Sequence, residues 1–283
     1  MQSIFKANRT VLITGASSGI GLELARVLAP KVDSLVVVAR RLDRLEQLAK
    51  DLQLRFPALN VAIETADLSA PEALENLLRQ LEARRLNVDV LVNNAGLGES
   101  ELFEKSSWSR ISQIVEVNIV AMLRLTHHLL PAMIGRGHGA ILNIGSGAGY
   151  AAMPNAIVYT ASKHFVRSFT ESLRAQLAGT GVTVSEAAPG PVDSEFDQVA
   201  GINGGAMPGQ SILRITTKEC AMDIVSEFEK GSPVIFPGRN YRWLMKLQPL
   251  MPRRFVTAPV AQAARRLRAV GESDAAQSKS CAK

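Results

Sequence analysis

The chain has 283 residues, of which 47% are hydrophobic and 20% charged; that composition supplies a buried core and excludes wholesale disorder. Lysine plus arginine is 32 against 26 for aspartate plus glutamate, a net charge of +6 that is too mildly basic to point to a nucleic-acid partner. Two cysteines, Cys220 and Cys281, cannot build a disulfide framework, and no Cys/His cluster has zinc-ligand spacing.

Short β-branched runs alternate with amphipathic stretches along the chain. Arg9–Ile13 reads as the first strand, and its apolar run is too short for a signal peptide. A glycine turn follows, then a helix over Ile20–Ala29 that stops at Pro30. Ser34–Ala39 is nearly all apolar, as in a strand buried on both faces. Leu42, Leu45, Leu48, Leu52 and Phe56 mark one helix face. Val61–Thr65 is a third strand, and Pro71 opens the next helix at its favoured first-turn position. Val88–Val92, Ala140–Ile144, Val182–Ala187 and Pro233–Phe236 complete the strands. Long helices with apolar faces are expected over Ile111–Met133 and Val158–Ala178. The uncharged stretch Ala140–Ser162 is broken by Gly145, Gly147, Gly149 and Pro154, which makes it a poor membrane span.

This alternation predicts an α/β fold: a Rossmann-type doubly wound parallel sheet of about seven strands with helices on both faces. Residues 1–238 are assigned to that domain. Residues 239–268 carry eight Arg/Lys and no Asp or Glu, so 239–270 is set apart as a basic, apolar extension. The small, polar stretch 271–283 reads as a disordered tail.

Chemistry is expected first at the turn after strand one, Thr14-Gly15-Ala16-Ser17-Ser18-Gly19-Ile20-Gly21. Glycines let backbone amides approach a pyrophosphate, and the following helix points its N–H groups and positive dipole end at the same anion. After strand two a carboxylate would accept from a ribose and repel a 2′-phosphate. Here stand Arg40 and Arg41 instead, whose guanidiniums favour the phosphate, so NADP(H) is expected in preference to NAD(H).

Tyr159 and Lys163 are four residues apart and share one helix face. A nearby ammonium favours the phenolate, so Lys163 is expected to lower the tyrosine pKa toward useful acid–base range. Ser146 follows the fifth strand, at the sheet edge where such folds bind ligands, and its hydroxyl can bond a substrate oxygen.

With these motifs in order over residues 9–236, the chain resembles the short-chain dehydrogenase/reductase family. The resemblance implies a catalytic set of Asn118, Ser146, Tyr159 and Lys163. Tyr159 would exchange the substrate proton, Lys163 hold the nicotinamide ribose and lower the tyrosine pKa, Ser146 orient the carbonyl, and Asn118 position a water linked to Lys163. It further implies cofactor contacts from Gly15, Ser17, Ser18, Gly19, Ile20 and Gly21, from Arg40 and Arg41, and from Asp67 and Leu68. Asn94, Ala95 and Gly96 would close strand four, with Tyr159, Lys163, Pro189, Gly190, Val192 and Ser194 near the nicotinamide. Ser194 stands where the family often has threonine, and no basic residue lies within the glycine turn. The implied reaction interconverts a carbonyl and a secondary alcohol. A catalytically silent NAD(P)-binding regulator of the same fold is the alternative.

Other residues read as structural. His127 and His128 are adjacent, so on a helix they cannot both face one metal. Asp89 reads as a strand-edge residue and Cys220 as a small packed side chain. A hydrolase elbow needs glycine where Ile144 stands. The glycine-rich segment Pro191–Thr216 is the expected substrate loop. The stretch 239–256 mixes cations with large apolar side chains; it either closes an apolar pocket for acyl, steroid-like or terpenoid-like substrates, touches an anionic membrane surface weakly, or is a packed terminal helix. A homodimer or homotetramer is implied by the resemblance; the cysteine usage and the lack of a signal-peptide pattern make a cytoplasmic location the expectation, and the mild charge leaves no nucleic-acid partner expected.

Overall fold

The computed structural model describes residues 9–84, 86–201 and 210–248, together with Ile4 and Arg265. Much of the expected glycine-rich loop (202–209), most of the extension beyond 248, and the tail at 271–283 lie outside the described residues.

The elements run β1 (Thr10–Thr14), α1 (Gly19–Leu28), β2 (Ser34–Ala39), α2 (Leu42–Arg55), β3 (Asn60–Thr65), α3 (Pro71–Ala83) and β4 (Val90–Asn93). Then come α4 (Trp108–Val115), a π-helical segment (Glu116–Ala121), α5 (Met122–Arg136), β5 (Gly139–Ile144), α6 (Ile157–Gln176) and β6 (Val182–Ala187). The last are β7 (Val192–Asp193), α7 (Glu195–Val199), α8 (Gln210–Leu213), β8 (Ile215–Thr216), α9 (Thr217–Glu229), β9 (Val234–Ile235) and α10 (Arg239–Leu247).

Seven strands form one sheet in the order β3-β2-β1-β4-β5-β6-β9, every pair parallel. Parallel strands must return through crossovers, so helices cover both faces. Val11, Ile13, Val37 and Val90 face α1, α2 and α9, whose Leu24, Leu48 and Phe228 fill that side of the core. Leu12, Val36, Leu91 and Val184 face α3, α4, α5 and α6 with Leu77, Ile114, Leu125 and Leu173. Strand order reverses between β1 and β4, which opens a crevice at their carboxyl ends.

Local sequence explains the boundaries. Pro71 occupies the first turn of α3. Gly137 at φ +67° ends α5 in the left-handed conformation. Thr216 and Glu219 close a reciprocal capping box at the start of α9.

Three features depart from expectation. The long helix predicted over Ile111–Met133 runs from Trp108 to Arg136, with π pitch over Glu116–Ala121. A π turn inserts one extra residue, a device frequent at functional sites, and here it carries Asn118. By length and composition this 29-residue helix could cross a membrane, but Ile114, Met122, Leu125 and Met133 pack it onto the sheet. A separate two-stranded parallel ribbon joins β7 and β8 inside the expected substrate loop. Asp89 is more than a strand edge. It is 6% exposed, accepts from the Arg9 guanidinium at 3.0 Å and from the Thr10 amide at 3.0 Å, and its own main chain bonds Thr10 and Ala140. It therefore ties β1, β4 and β5 at their amino ends.

Asp89→Ala leaves a partly buried guanidinium and an amide without their acceptor. A loss of about 2 kcal/mol is expected, read as a lower urea midpoint with unchanged slope; an unchanged midpoint contradicts the tie.

Candidate active site

The carboxyl end of β1 runs into the glycine turn, and Thr14 fastens that turn to the end of β4. Its hydroxyl oxygen accepts from the Asn94 and Ala95 amides, each at 3.0 Å. The Asn94 side-chain amide donates back to the Thr14 carbonyl at 2.8 Å and the Gly15 carbonyl at 3.3 Å. Gly15 sits at φ +68°, and a β-carbon there would press on Ala95 and Asn94. A β-carbon on Gly21 would strike the Asn94 amide and the Gly15 carbonyl. Ser18 makes no side-chain capping bond at the start of α1, so the first-turn amides point into the crevice. These features fit a pyrophosphate cradle.

Arginine meets this cradle from the end of β2. Arg41 Nη2 donates to the hydroxyls of Ser18 at 2.7 Å and Ser17 at 3.1 Å. A cation thus reaches the turn from outside it, where the turn itself lacks one. Arg41 Nη1 donates to Glu195 at 3.1 Å, and Arg44 Nη1 holds the same carboxylate at 2.6 and 2.9 Å. Arg40, expected to share this task, instead turns toward Asp67 at 3.9 Å and is largely exposed. Asp67 itself accepts from the Ser69 amide and hydroxyl, with Leu68 buried beside it.

The four expected catalytic side chains converge at the ends of β4 and β5. Asn118 accepts from the Leu97 amide at 2.8 Å and donates to the Leu97 carbonyl and the Ser162 hydroxyl, both at 2.9 Å. A β-carbon on Gly96 would lie 3.6 Å from both Asn118 Oδ1 and Lys163 Nζ, so the two side chains flank that glycine. Lys163 is buried, and its ammonium donates to the Ile144 carbonyl at 2.8 Å. Ser146 Oγ accepts from the Ala148 amide at 3.1 Å, which leaves its proton to donate elsewhere. Helix α6 presents Tyr159 with Lys163 Nζ 5.7 Å from its ring centre. Pro189 and Gly190 adjoin Ser146 through a Gly147 N–H to Pro189 carbonyl bond at 2.8 Å. Val192 is buried in β7, and Ser194 lies over Gly19.

Several site residues escaped sequence reasoning. Phe196 rests on the Tyr159 ring at 5.4 Å. Arg44 lies one turn beyond Arg41 on α2. Glu186 is 2% exposed at the end of β6; its Oε2 accepts from the Tyr150 phenol at 2.8 Å. Its Oε1 and the Tyr241 hydroxyl have no hydrogen-bond partner among the described residues. A β-carbon on Gly145 would collide with Glu186, and one on Gly147 with Tyr241. The glycines flanking Ser146 therefore make room for a carboxylate and a phenol. A carboxylate in a strand that is otherwise uncharged was the available signal for Glu186.

A family model described as short chain dehydrogenase matches residues 9–202. A sulfoacetaldehyde reductase of Chromohalobacter salexigens is 38% identical over 222 residues, covering 77% of this chain and 85% of its own. An NADP-dependent 3-hydroxy acid dehydrogenase of Escherichia coli is 37% identical over 191 residues, covering 67% of this chain and 75% of its own. The solved structure of a short-chain dehydrogenase from Sphingobium yanoikuyae in complex with NADPH is 30% identical, with a TM-score of 0.74 over 92% of this chain and 95% of that one.

Burial governs ionisation in this site, and it corrects one expectation. It pushes the Tyr159 phenol up to about 12; a hydrogen bond with Ser146 draws it back and Asp197 raises it further. Lys163, expected to lower that phenol, bonds the Ile144 carbonyl instead. Burial brings Lys163 itself down to about 8, against the pull of Glu186. Burial also pushes Glu186 up to about 7, with Tyr150, Arg167 and Lys163 opposing it and Glu171 adding to it.

A carboxyl whose pKa rises on folding binds its proton more tightly in the native state. The resulting cost is absent below its ordinary value of 4.5 and complete above about 7. Glu186→Gln mimics the protonated form. Its stability relative to the parent should therefore grow between about pH 5 and about pH 8, by on the order of 2 kcal/mol. Thermal unfolding of both proteins at the two pH values reads this directly, and a pH-independent difference contradicts it.

Proposed function

This chain belongs to the short-chain dehydrogenase/reductase family, and we propose that it interconverts a carbonyl and a secondary alcohol on an apolar substrate, with NADP(H) as cofactor. The observation that carries the reaction is the convergence of Ser146, Tyr159 and Lys163 beside a glycine cradle at the sheet's topological switch. The Arg41 and Arg44 guanidiniums at the rim of that cradle suit a 2′-phosphate, in line with the NADPH-holding and NADP-dependent relatives.

The cofactor, when bound, supplies or accepts hydride at the substrate carbon. The chain supplies alignment and the proton. Gly15, Ser17, Ser18, Gly19, Ile20 and Gly21 would hold the phosphates. Asp67 and Leu68 would take the adenine, and Asn94, Ala95, Gly96, Pro189, Gly190, Val192 and Ser194 the nicotinamide half. Tyr159, held protonated through neutral pH by burial, donates its phenolic proton to the carbonyl oxygen. Ser146, which hydrogen-bonds the Tyr159 phenol, orients that oxygen with its O–H. Lys163 remains charged at neutral pH and holds the ribose beside the phenol. Asn118 locks the Leu97 backbone and Ser162 around it and positions a water toward Lys163. A silent regulator has no use for this acid–base set.

Charge at the site favours an apolar substrate. The acids Asp197 and Glu186 influence Tyr159 and Lys163. Nearby cations are engaged: Arg110 with the Gly98 and Val199 carbonyls, and Arg214 with Asp193 and Asp197. A small anionic substrate would lack a free cation among these, whereas Phe196 and Tyr241 offer aromatic surface. Tyr241 and Met245 of α10 turn inward and are buried, while Trp243, Leu244 and Leu247 are exposed; the start of 239–256 is thus packed on the domain through one face, beside Gly147 and Gly190. The outer faces of α4 and α6 expose Trp108, Ile157 and Phe165; pairing of such faces across a two-fold axis gives a homodimer, or a homotetramer with a second axis.

NADPH oxidation followed against a carbonyl panel should show higher kcat/KM for bulky apolar ketones than for short carboxylate or sulfonate aldehydes; the reverse order overturns the substrate class. Tyr159→Phe should bind NADPH as the parent does and lose turnover by about 10² to 10⁴. Turnover near the parent's would assign the proton to another group.

A further inference from the structure

We propose, taking NADP(H) as the cofactor, that Glu195 is an internal competitor of its 2′-phosphate: the Glu195 carboxylate occupies the Arg41–Arg44 pair in the free protein and yields it to the phosphate on binding.

The geometry is that of an anion already bound. Arg44 grips both Glu195 oxygens, at 2.6 and 2.9 Å, and Arg41 takes one of them at 3.1 Å. A carboxylate and a phosphate satisfy guanidinium donors in the same way. Arg41 is meanwhile anchored to the cradle by Ser17 and Ser18. Its guanidinium thus stands between the phosphate-binding turn and a carboxylate from the far side of the crevice. A doubly charged phosphate and Glu195 cannot both take these donors without like-charge repulsion. The arginine pair and Glu195 are each about 40% exposed, at 40%, 42% and 43%, so the exchange needs no unfolding of the core.

Glu195 opens α7, and the same short helix bears Phe196 on the Tyr159 ring. The contact at the cofactor end and the contact at the reacting centre are therefore one residue apart. Exchange of Glu195 for the phosphate releases the first of them, so the phosphate that distinguishes NADPH from NADH is sensed by the segment covering the catalytic tyrosine. NADH has no group with which to make this exchange.

The test measures dissociation constants of NADPH, NADH, adenosine 2′-phosphate and adenosine 5′-phosphate at fixed ionic strength, for the parent and for Glu195→Gln. The two 2′-phosphate ligands should bind about three- to tenfold tighter to the variant, the span set by exposed charge pairs acting together. The other two should not move. Adding Arg44→Gln should lower NADPH affinity and shrink the gain from Glu195→Gln, as a double-mutant cycle for a shared partner requires. Tightening of all four ligands alike, or no tightening of the 2′-phosphates by a variant of unchanged circular dichroism, overturns the exchange alone. A parent protein that binds adenosine 2′-phosphate no better than the 5′-isomer overturns the cofactor reading and the exchange with it.

Discussion

One threonine hydroxyl holds together the two strands between which the sheet changes direction. Thr14 ends β1, Asn94 follows β4, and five hydrogen bonds tie Thr14 and Gly15 at the end of β1 to Val92, Asn94 and Ala95 at the end of β4. Parallel pairing alone leaves the ends of β1 and β4 free to splay, because their helical connections pull to opposite sides. The clasp opposes that splay and also shapes the cradle. The Asn94 amide lies where a side chain on Gly15 or Gly21 would go. The glycines are therefore as much a requirement of the clasp as of any phosphate.

Around this clasp the protein spends buried polar groups freely. Asn93 donates to Asn143 at 2.8 Å, Asn143 to Thr170 at 2.9 Å, and Thr170 to the Val166 carbonyl at 2.6 Å. This ladder crosses β4 and β5 to reach α6, the helix that carries Tyr159 and Lys163. Networks of this kind favour one arrangement, because a slip leaves further groups unpaired at low dielectric; Asn93 Oδ1 already has no hydrogen-bond partner among the described residues. The position of α6 is thus specified by hydrogen bonds as well as by apolar packing.

What the sequence disclosed follows from the range of each interaction. The strands, the glycine turn and the Tyr159–Lys163 spacing are written in neighbouring residues, and period and turn chemistry suffice to read them. The π turn at Asn118 leaves no such trace: a one-residue change of pitch alters neither the apolar pattern nor the caps. Arg44 and Glu195 are separated by 151 positions, and nothing local pairs them. Arg40 and Arg41 looked equivalent in sequence, yet only Arg41 meets Ser17 and Ser18. The helix α2 begins just after it and sends the two side chains in different directions. The direction of the tyrosine shift was misjudged for a related reason. Spacing shows that an ammonium is near, while burial, which wins here, is a property of the assembled fold.

Burial opposes ionisation of every group in the reacting centre, and the surrounding residues decide how far it succeeds. For Tyr159 it largely succeeds: Ser146 favours the phenolate, but Asp197 resists it, and the phenol keeps its proton. For Lys163 it fails at neutral pH, because the Glu186 carboxylate favours the ammonium. A protonated phenol beside a charged amine is the state that the proposed proton transfer to a carbonyl oxygen requires. The opposite assignment, phenolate beside neutral amine, would require the dehydrated site to stabilise an anion that Asp197 repels. Glu186 bears the cost of this arrangement. It is itself driven toward neutrality by the burial that lets it act on Lys163 at short range, and the missing side chains of Gly145 and Gly147 are the space that it and Tyr241 occupy.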